Sequence, residues 1–184
     1  MRQPGNDMHQ MRIKSMLFGA LLLSGSAACA RAQEIRKSQL ATVSQMIGRT
    51  RVEIVYRRPV ARGRDLFGAL VRYGRVWSPS ADSAAVFTTT TDLDIAGSKL
   101  AAGRYSIWAI PDQASWTVIF SSAVPVFHLP YPEGKDVLRV RAAPRQADHV
   151  ESLAFYFPMV DADSATLSLH WGRTVVPLAI RSRQ

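Results

Sequence analysis

Six arginines, Arg57, Arg58, Arg62, Arg64, Arg72 and Arg75, fall within nineteen residues of this chain. A guanidinium offers a planar fork of donors that matches carboxylate, sulfate or phosphate groups. The cluster is therefore a candidate for holding an anion. The competing reading is a solvated loop whose arginines pair locally with Asp65 and Glu53. Phe67, Tyr73 and Trp77 are interleaved with the arginines, and Trp108 and Trp116 follow further on. Such rings can line a groove for a sugar or a lipid; Trp108 and Trp116 fit a core position better, while Tyr73 and Trp77 divide evenly between the two uses. His128, His149 and His170 stand about twenty residues apart and match no paired metal-ligand spacing. His128 lies in Pro125-Val126-Phe127-His128-Leu129-Pro130 and is the one histidine placed to act as a general base. His149 reads as part of a charged loop and His170 as the polar side of a strand. Asp92/Asp94 and Asp161/Asp163 make two D-x-D pairs without the third acid that calcium would need, so both read as turns. No serine sits in a nucleophile motif; Ser80 or Ser83 with Asp82 and a distant His128 is a triad in composition only. Neither a metal nor a cofactor is expected.

The compartment is read from the N-terminal residues. Arg12 and Lys14 precede an apolar run from Met16 to Leu23, and small residues lead to Ala30-Arg31-Ala32 before Gln33. This is the pattern of a secretory signal with an A-x-A cleavage site. The run is far shorter than the ~20 residues needed to span a bilayer. Residues 1–32 are accordingly expected to be removed, with residues 1–10 a start-site extension ahead of Met11. The alternative is a lipid anchor: Ser26-Ala27-Ala28-Cys29 partly fits a lipoprotein box, although Ser26 stands where an aliphatic residue is usual. Cys29 is the single cysteine. The domain that follows therefore has no thiol for disulfides, thiolate zinc sites or cysteine nucleophiles. The expected location is periplasmic or extracellular.

The whole chain carries 23 Lys and Arg against 14 Asp and Glu, a net charge of +9. Residues 1–32 hold four of the bases and one of the acids, so the remaining 152 residues carry +6. That balance favours anionic partners but is too mild and scattered for a nucleic-acid footprint. The length suits one domain, large enough to fold around its own core.

Residues 33–40 read as a loose leader, followed by one domain over 41–182. Within it, apolar residues recur with a period of two, which marks strands with one buried face. Val52, Ile54 and Tyr56 alternate with Glu53 and Val55; Leu138, Val140 and Ala142 with Arg139 and Arg141. Leu153, Phe155 and Phe157 follow the same rule. So do Leu167, Leu169 and Trp171, against Thr166, Ser168 and His170, and a separate closing run of Val176, Leu178 and Ile180. Tyr105–Ile110 and Trp116–Phe120 are apolar on both sides and belong inside a sheet. Turn residues fall at Gly97-Ser98, Ala102-Gly103, Pro111-Asp112, Glu133-Gly134 and Asp161–Asp163. About ten strands and no amphipathic helix predict an all-β fold: an antiparallel β-sandwich, jelly-roll-like, with one long basic loop. The inward set is expected to include Ile54, Ile107, Val118, Val140, Phe155, Leu167 and Leu169.

That loop, residues 57–83, is long enough to be functional. Its Arg58-Pro59, Gly63-Arg64, Phe67-Gly68, Tyr73-Gly74 and Trp77 resemble the central motif of the bacterial secreted family known as domain of unknown function 2911. The likeness continues through Ala101–Ser106, Ile110-Pro111, Trp116–Phe120, Asp136–Val140 and Leu167–Trp171, covering roughly residues 38–180. It implies a secreted single-domain β protein without an assigned activity. Within the motif, Arg58 beside Pro59 and Arg64 beside Gly63 are the leading ligand-binding candidates. After the tryptophan the family usually runs Arg, Thr, Gly, Ala, Asn, Glu, whereas here Trp77 is followed by Ser78, Pro79, Ser80, Ala81, Asp82 and Ser83. Chemistry resting on that Arg and Glu is therefore missing from this chain.

The expected function is a binding or interaction module for a small anionic or glycan ligand, or for an envelope partner. Its candidate residues are Arg58, Arg64, Tyr73, Trp77, Asp82 and His128. One alternative is an envelope hydrolase using Arg64, Asp82 and His128, which requires those three side chains to converge. Another is a structural envelope protein. Residue types fix neither the ligand nor the oligomeric state.

Overall fold

The computed structural model describes residues 35–183; the segment expected to be an export signal, and Cys29 with it, lie outside these described residues. Ten strands run in chain order: β1 (Gln39–Ile47), β2 (Thr50–Arg58), β3 (Ala85–Thr89), β4 (Leu93–Ile95), β5 (Ser98–Leu100), β6 (Gly103–Ile110), β7 (Trp116–Ser121), β8 (Asp136–Ala142), β9 (Arg145–Val160) and β10 (Ser164–Ser182). They form a six-stranded sheet, β1-β2-β3-β6-β7-β8, and a four-stranded sheet, β5-β4-β10-β9. Every pairing is antiparallel. The described residues contain no helix. All five turn segments read from the sequence fall at strand ends.

The period-two pattern sets the core. Ile54, Ile107, Val118 and Val140 from the large sheet meet Phe155, Leu167 and Leu169 from the small one, and all seven are buried. The remaining gap between the layers is about 10 Å³ with a wholly apolar lining, so the interior is closely packed and dry. β6 and β7 hold the fourth and fifth places of the large sheet, as their two apolar faces require. Their outward residues Trp108 and Ile119 are buried beneath Ala84, Val76, Val126 and Tyr131, which form a second, smaller apolar cluster.

Several sequence expectations need correction. Arg57 and Arg58 belong to β2, so the long connection begins at Pro59. The runs around Leu167 and Leu178 are a single strand, continued through an irregularity at Gly172, where φ is +59°. Ser168 and His170 are buried rather than water-facing. His170 is satisfied in place: its Nε2 donates to the Asp148 carbonyl at 3.0 Å, which leaves Nδ1 to accept from the Tyr156 hydroxyl at 3.2 Å. His149 lies in β9, not in a loop. The His170 error has a plain cause: its partners come from residues distant in sequence, which periodicity cannot see.

Candidate functional site

The connection from Pro59 to Ala84 folds over one end of the sandwich, and its own side chains hold it there. Gly63, Gly68 and Gly74 adopt φ of +67°, +94° and +69°, turns that a side chain at those positions would strain. Phe67 packs edge-on against Trp116, with ring centres 4.7 Å apart, and near Trp77 and Trp171. Trp77 stacks parallel to Trp171 at 6.0 Å. Its backbone exchanges two 2.8 Å hydrogen bonds with Ala109 of β6. Gly74 N–H donates to Pro111 in the β6–β7 turn at 2.9 Å. Trp77, Trp116 and Trp171 thus form the seam between the loop and both sheets.

Two of the candidate arginines hold backbone. Arg58 Nε donates to the Leu153 carbonyl at 2.9 Å, tying β2 to β9 across the sandwich. Arg64 donates through Nε to Ala61 at 2.8 Å and through one terminal nitrogen to Val60 at 2.7 Å, closing its own turn. A guanidinium has five N–H donors, so each keeps some in reserve. The expected local pairing with Asp65 and Glu53 does not form. Arg57 instead lies 3.6 Å from Asp82, and Glu53 is taken by Arg51 at 2.8 Å.

Asp82 and His128 do come together, by way of backbone. The Asp82 carbonyl accepts the His128 amide at 2.9 Å and its ring Nδ1 at 2.7 Å, which requires the proton on Nδ1. The Asp82 carboxylate faces away to Arg36 at 2.5 Å. Asp82 also has φ of +62°, a conformation in which Asp and Asn are the favoured non-glycine residues. The backbone shape at this position therefore suits an aspartate. Arg64 shares no hydrogen bond, ion pair or hollow with Asp82 or His128 among the described residues.

The concave surface lies elsewhere, where the loop meets the β6–β7 turn and the open end of β9 and β10. Two adjoining hollows, of about 280 and 310 Å³, share Phe67, Tyr73, Gln146 and Thr174. The first adds Asp112, Gln113, Trp116 and Arg145; the second adds Arg64, Asp65, His149, Trp171 and Arg173. Gln146 and Thr174 face each other across the β9–β10 ladder, so Arg145 and Arg173 are placed by main-chain register. Both arginines are exposed and have neither an ion pair nor a side-chain hydrogen bond among the described residues. The acids nearby are partly committed. The Asp112 carboxylate accepts the Gln113 amide at 2.6 Å. Glu151 accepts the Arg62 amide at 2.6 Å and His149 at 2.9 Å, and those contacts, His149 first, hold its carboxyl below the usual range. Tyr73 is the most exposed of the Phe, Tyr and Trp rings lining this groove, at 39 %, and it roofs Gly68.

Of the six candidates, Arg64 and Tyr73 line this groove; Trp77 lies beneath it in the aromatic seam, and Arg58, Asp82 and His128 are not among its lining residues. Arg145, Gln146, Arg173 and Thr174 escaped the sequence reading, because their meaning depends on a pairing of residues 28 positions apart. Residues 38–180 match the family model described as Protein of unknown function (DUF2911). The chain belongs to that family. No curated protein and no solved structure matches it. Within this DUF2911 member, the ordered motifs that carried the resemblance map onto the loop and its seats: Phe67-Gly68, Tyr73-Gly74 and Trp77 on the loop, Trp116 and Trp171 in the two sheets.

Proposed function

We propose that this DUF2911 domain is a binding module, exported to the periplasm or cell surface, that takes a small ligand bearing an anionic group, acidic glycans included, in the groove between the 59–84 loop and β9–β10. The observation that carries the reading is the pair Arg145 and Arg173, one in each hollow, both without internal partners and separated by the polar Gln146 and Thr174. Unpaired guanidiniums with neighbouring amide and hydroxyl groups suit carboxylate or sulfate on a polar ligand. Tyr73 adds a ring face for a sugar, and Arg64 adds its unused donors. Arg64, Asp82 and His128 share no pocket, so no observation favours the hydrolase reading.

The test is calorimetric titration of the protein with sulfate, acidic oligosaccharides and neutral oligosaccharides, followed by Arg145→Ala, Arg173→Ala and Arg64→Ala. Binding of an acidic ligand is expected to weaken by about 1.5–3 kcal/mol with each of the first two substitutions. Retention of full affinity in both variants, or binding to none of the three classes, overturns the proposal. Export is tested by the intact mass of the protein recovered from outside the cytoplasm, expected to begin at Gln33.

A further inference from the structure

A β-sandwich has four sheet edges, each exposing unpaired N–H and C=O groups that invite another strand unless something blocks them. Three of the four carry blocking devices. β5 has three residues, one of them Lys99. β8 presents Arg139 and Arg141 on its outer face. β9 contains Pro158, several charged residues and irregular register against β10. β1 has no such device. Its nine residues, Gln-Leu-Ala-Thr-Val-Ser-Gln-Met-Ile, include no charge and no proline. They pair with β2 through nine consecutive positions without a bulge. No other described strand pairs with the far side of β1.

The face of β1 that points away from the sandwich carries Leu40, Thr42, Ser44 and Met46, all exposed; Leu40 is 58 % and Met46 50 % accessible. Two large apolar side chains at the two ends of an edge strand, with two small hydroxyls between them, form a palindrome of chemistry. We propose that β1 pairs antiparallel with β1 of a second copy of this chain about a two-fold axis at Val43. In that register Leu40 faces the partner's Met46 and Thr42 faces the partner's Ser44. Cross-strand neighbours then match apolar to apolar and hydroxyl to hydroxyl, as an isologous interface requires. The two large sheets join into one continuous sheet of twelve strands. Shifting the register by two residues sets Leu40 against Ser44 and loses the match.

The contact is small for a stable interface, so the dimer forms in a concentration-dependent way rather than permanently. Lys37 and Arg49 lie just beyond the ends of β1, and pairing brings like charges near each other. Salt screens that repulsion, so dimerisation strengthens as ionic strength rises. A partner of opposite charge would show the reverse.

The experiment is sedimentation equilibrium of the protein over a wide concentration range at low and high salt, with two double variants. Thr42→Lys/Ser44→Lys places lysine opposite lysine across the axis and is expected to weaken dimerisation at least about tenfold. Thr42→Glu/Ser44→Lys places opposite charges there and is expected to retain the dimer. Both positions are exposed and outward; Ser44 accepts a 3.1 Å hydrogen bond from Arg51, which also pairs with Glu53, and any cost of replacing that contact is common to the two variants, so their difference reads the axis alone. Hydrogen exchange on the unsubstituted protein gives an independent readout: amides of residues 40–46 should gain protection as concentration rises. A protein that stays monomeric throughout, or a dimer indifferent to Thr42→Lys/Ser44→Lys, overturns the proposal, as does concentration-dependent protection outside β1 alone.

Discussion

Ser78 follows Trp77 directly, at the position where the family motif usually carries arginine. Its hydroxyl is buried and has no hydrogen-bond partner among the described residues. An unsatisfied buried hydroxyl costs about 1–3 kcal/mol, whereas an apolar group of similar size costs nothing there. Ser78→Ala is therefore expected to raise stability by about 1 kcal/mol in urea titration; a loss would reveal a partner for the hydroxyl. Tyr131 is the opposite case, a polar tip fully engaged. Its ring packs edge-on against Trp108, and its hydroxyl donates to Asp136. Burial first, and the Asp136 carboxylate second, push its pKa from 10.0 up to about 12. The folded state thus keeps a proton that the unfolded state gives up, and the sign follows from linkage. Stability is complete below about pH 10 and falls as pH rises towards 12, a slope that Tyr131→Phe is expected to flatten in alkaline denaturation.

At the scale of elements, the fit between the loop and β10 turns on Gly172. Its φ of +59° interrupts a nineteen-residue strand, and a Cβ there would meet Leu66 Cδ1 at 2.8 Å. The side-chain tip can move aside but the backbone cannot, and left-handed geometry costs a residue with a Cβ about 1–2 kcal/mol. Gly172→Ala is expected to lose that amount in chemical denaturation, and adding Leu66→Ala should not restore it. A full rescue would assign the cost to the clash instead. The same position shows where sequence reading stops. Leu167, Leu169, Val176, Leu178 and Ile180 announced their burial by alternation, yet Gly172 gave no sign that both runs were one strand. His170 was misread because the groups that satisfy it arrive from residues 148 and 156. The loop's glycines and aromatics were legible as turns and packers. The groove was legible only in part: Arg64 and Tyr73 stood out by their neighbours, while Arg145 and Arg173 gain meaning only once β9 lies beside β10.

For the molecule as a whole, the two sheets are fastened by a trio of hydroxyls, those of Thr50 and Ser182 buried and that of Thr91 half-buried. Thr50 Oγ1, at the start of β2, lies 2.5 Å from Thr91 Oγ1 and 2.6 Å from Ser182 Oγ at the end of β10. Thr50→Val keeps the shape but strands the two remaining hydroxyls, at an expected cost of about 1–3 kcal/mol. Because the core is shared, tryptophan fluorescence and far-ultraviolet circular dichroism should report the same lowered midpoint. Separate midpoints would mean that the sheets unfold independently. β10 has one more consequence, which concerns time. Ile95 of β4 finds its partner at Ile180 and Leu93 at Ser182, and among the described strands β9 has β10 as its one neighbour. While a ribosome still encloses β10, more than a hundred residues have emerged with one wall of the sandwich unable to assemble. The core therefore cannot close until synthesis has passed residue 182, and the domain is expected to complete its folding after translation rather than during it.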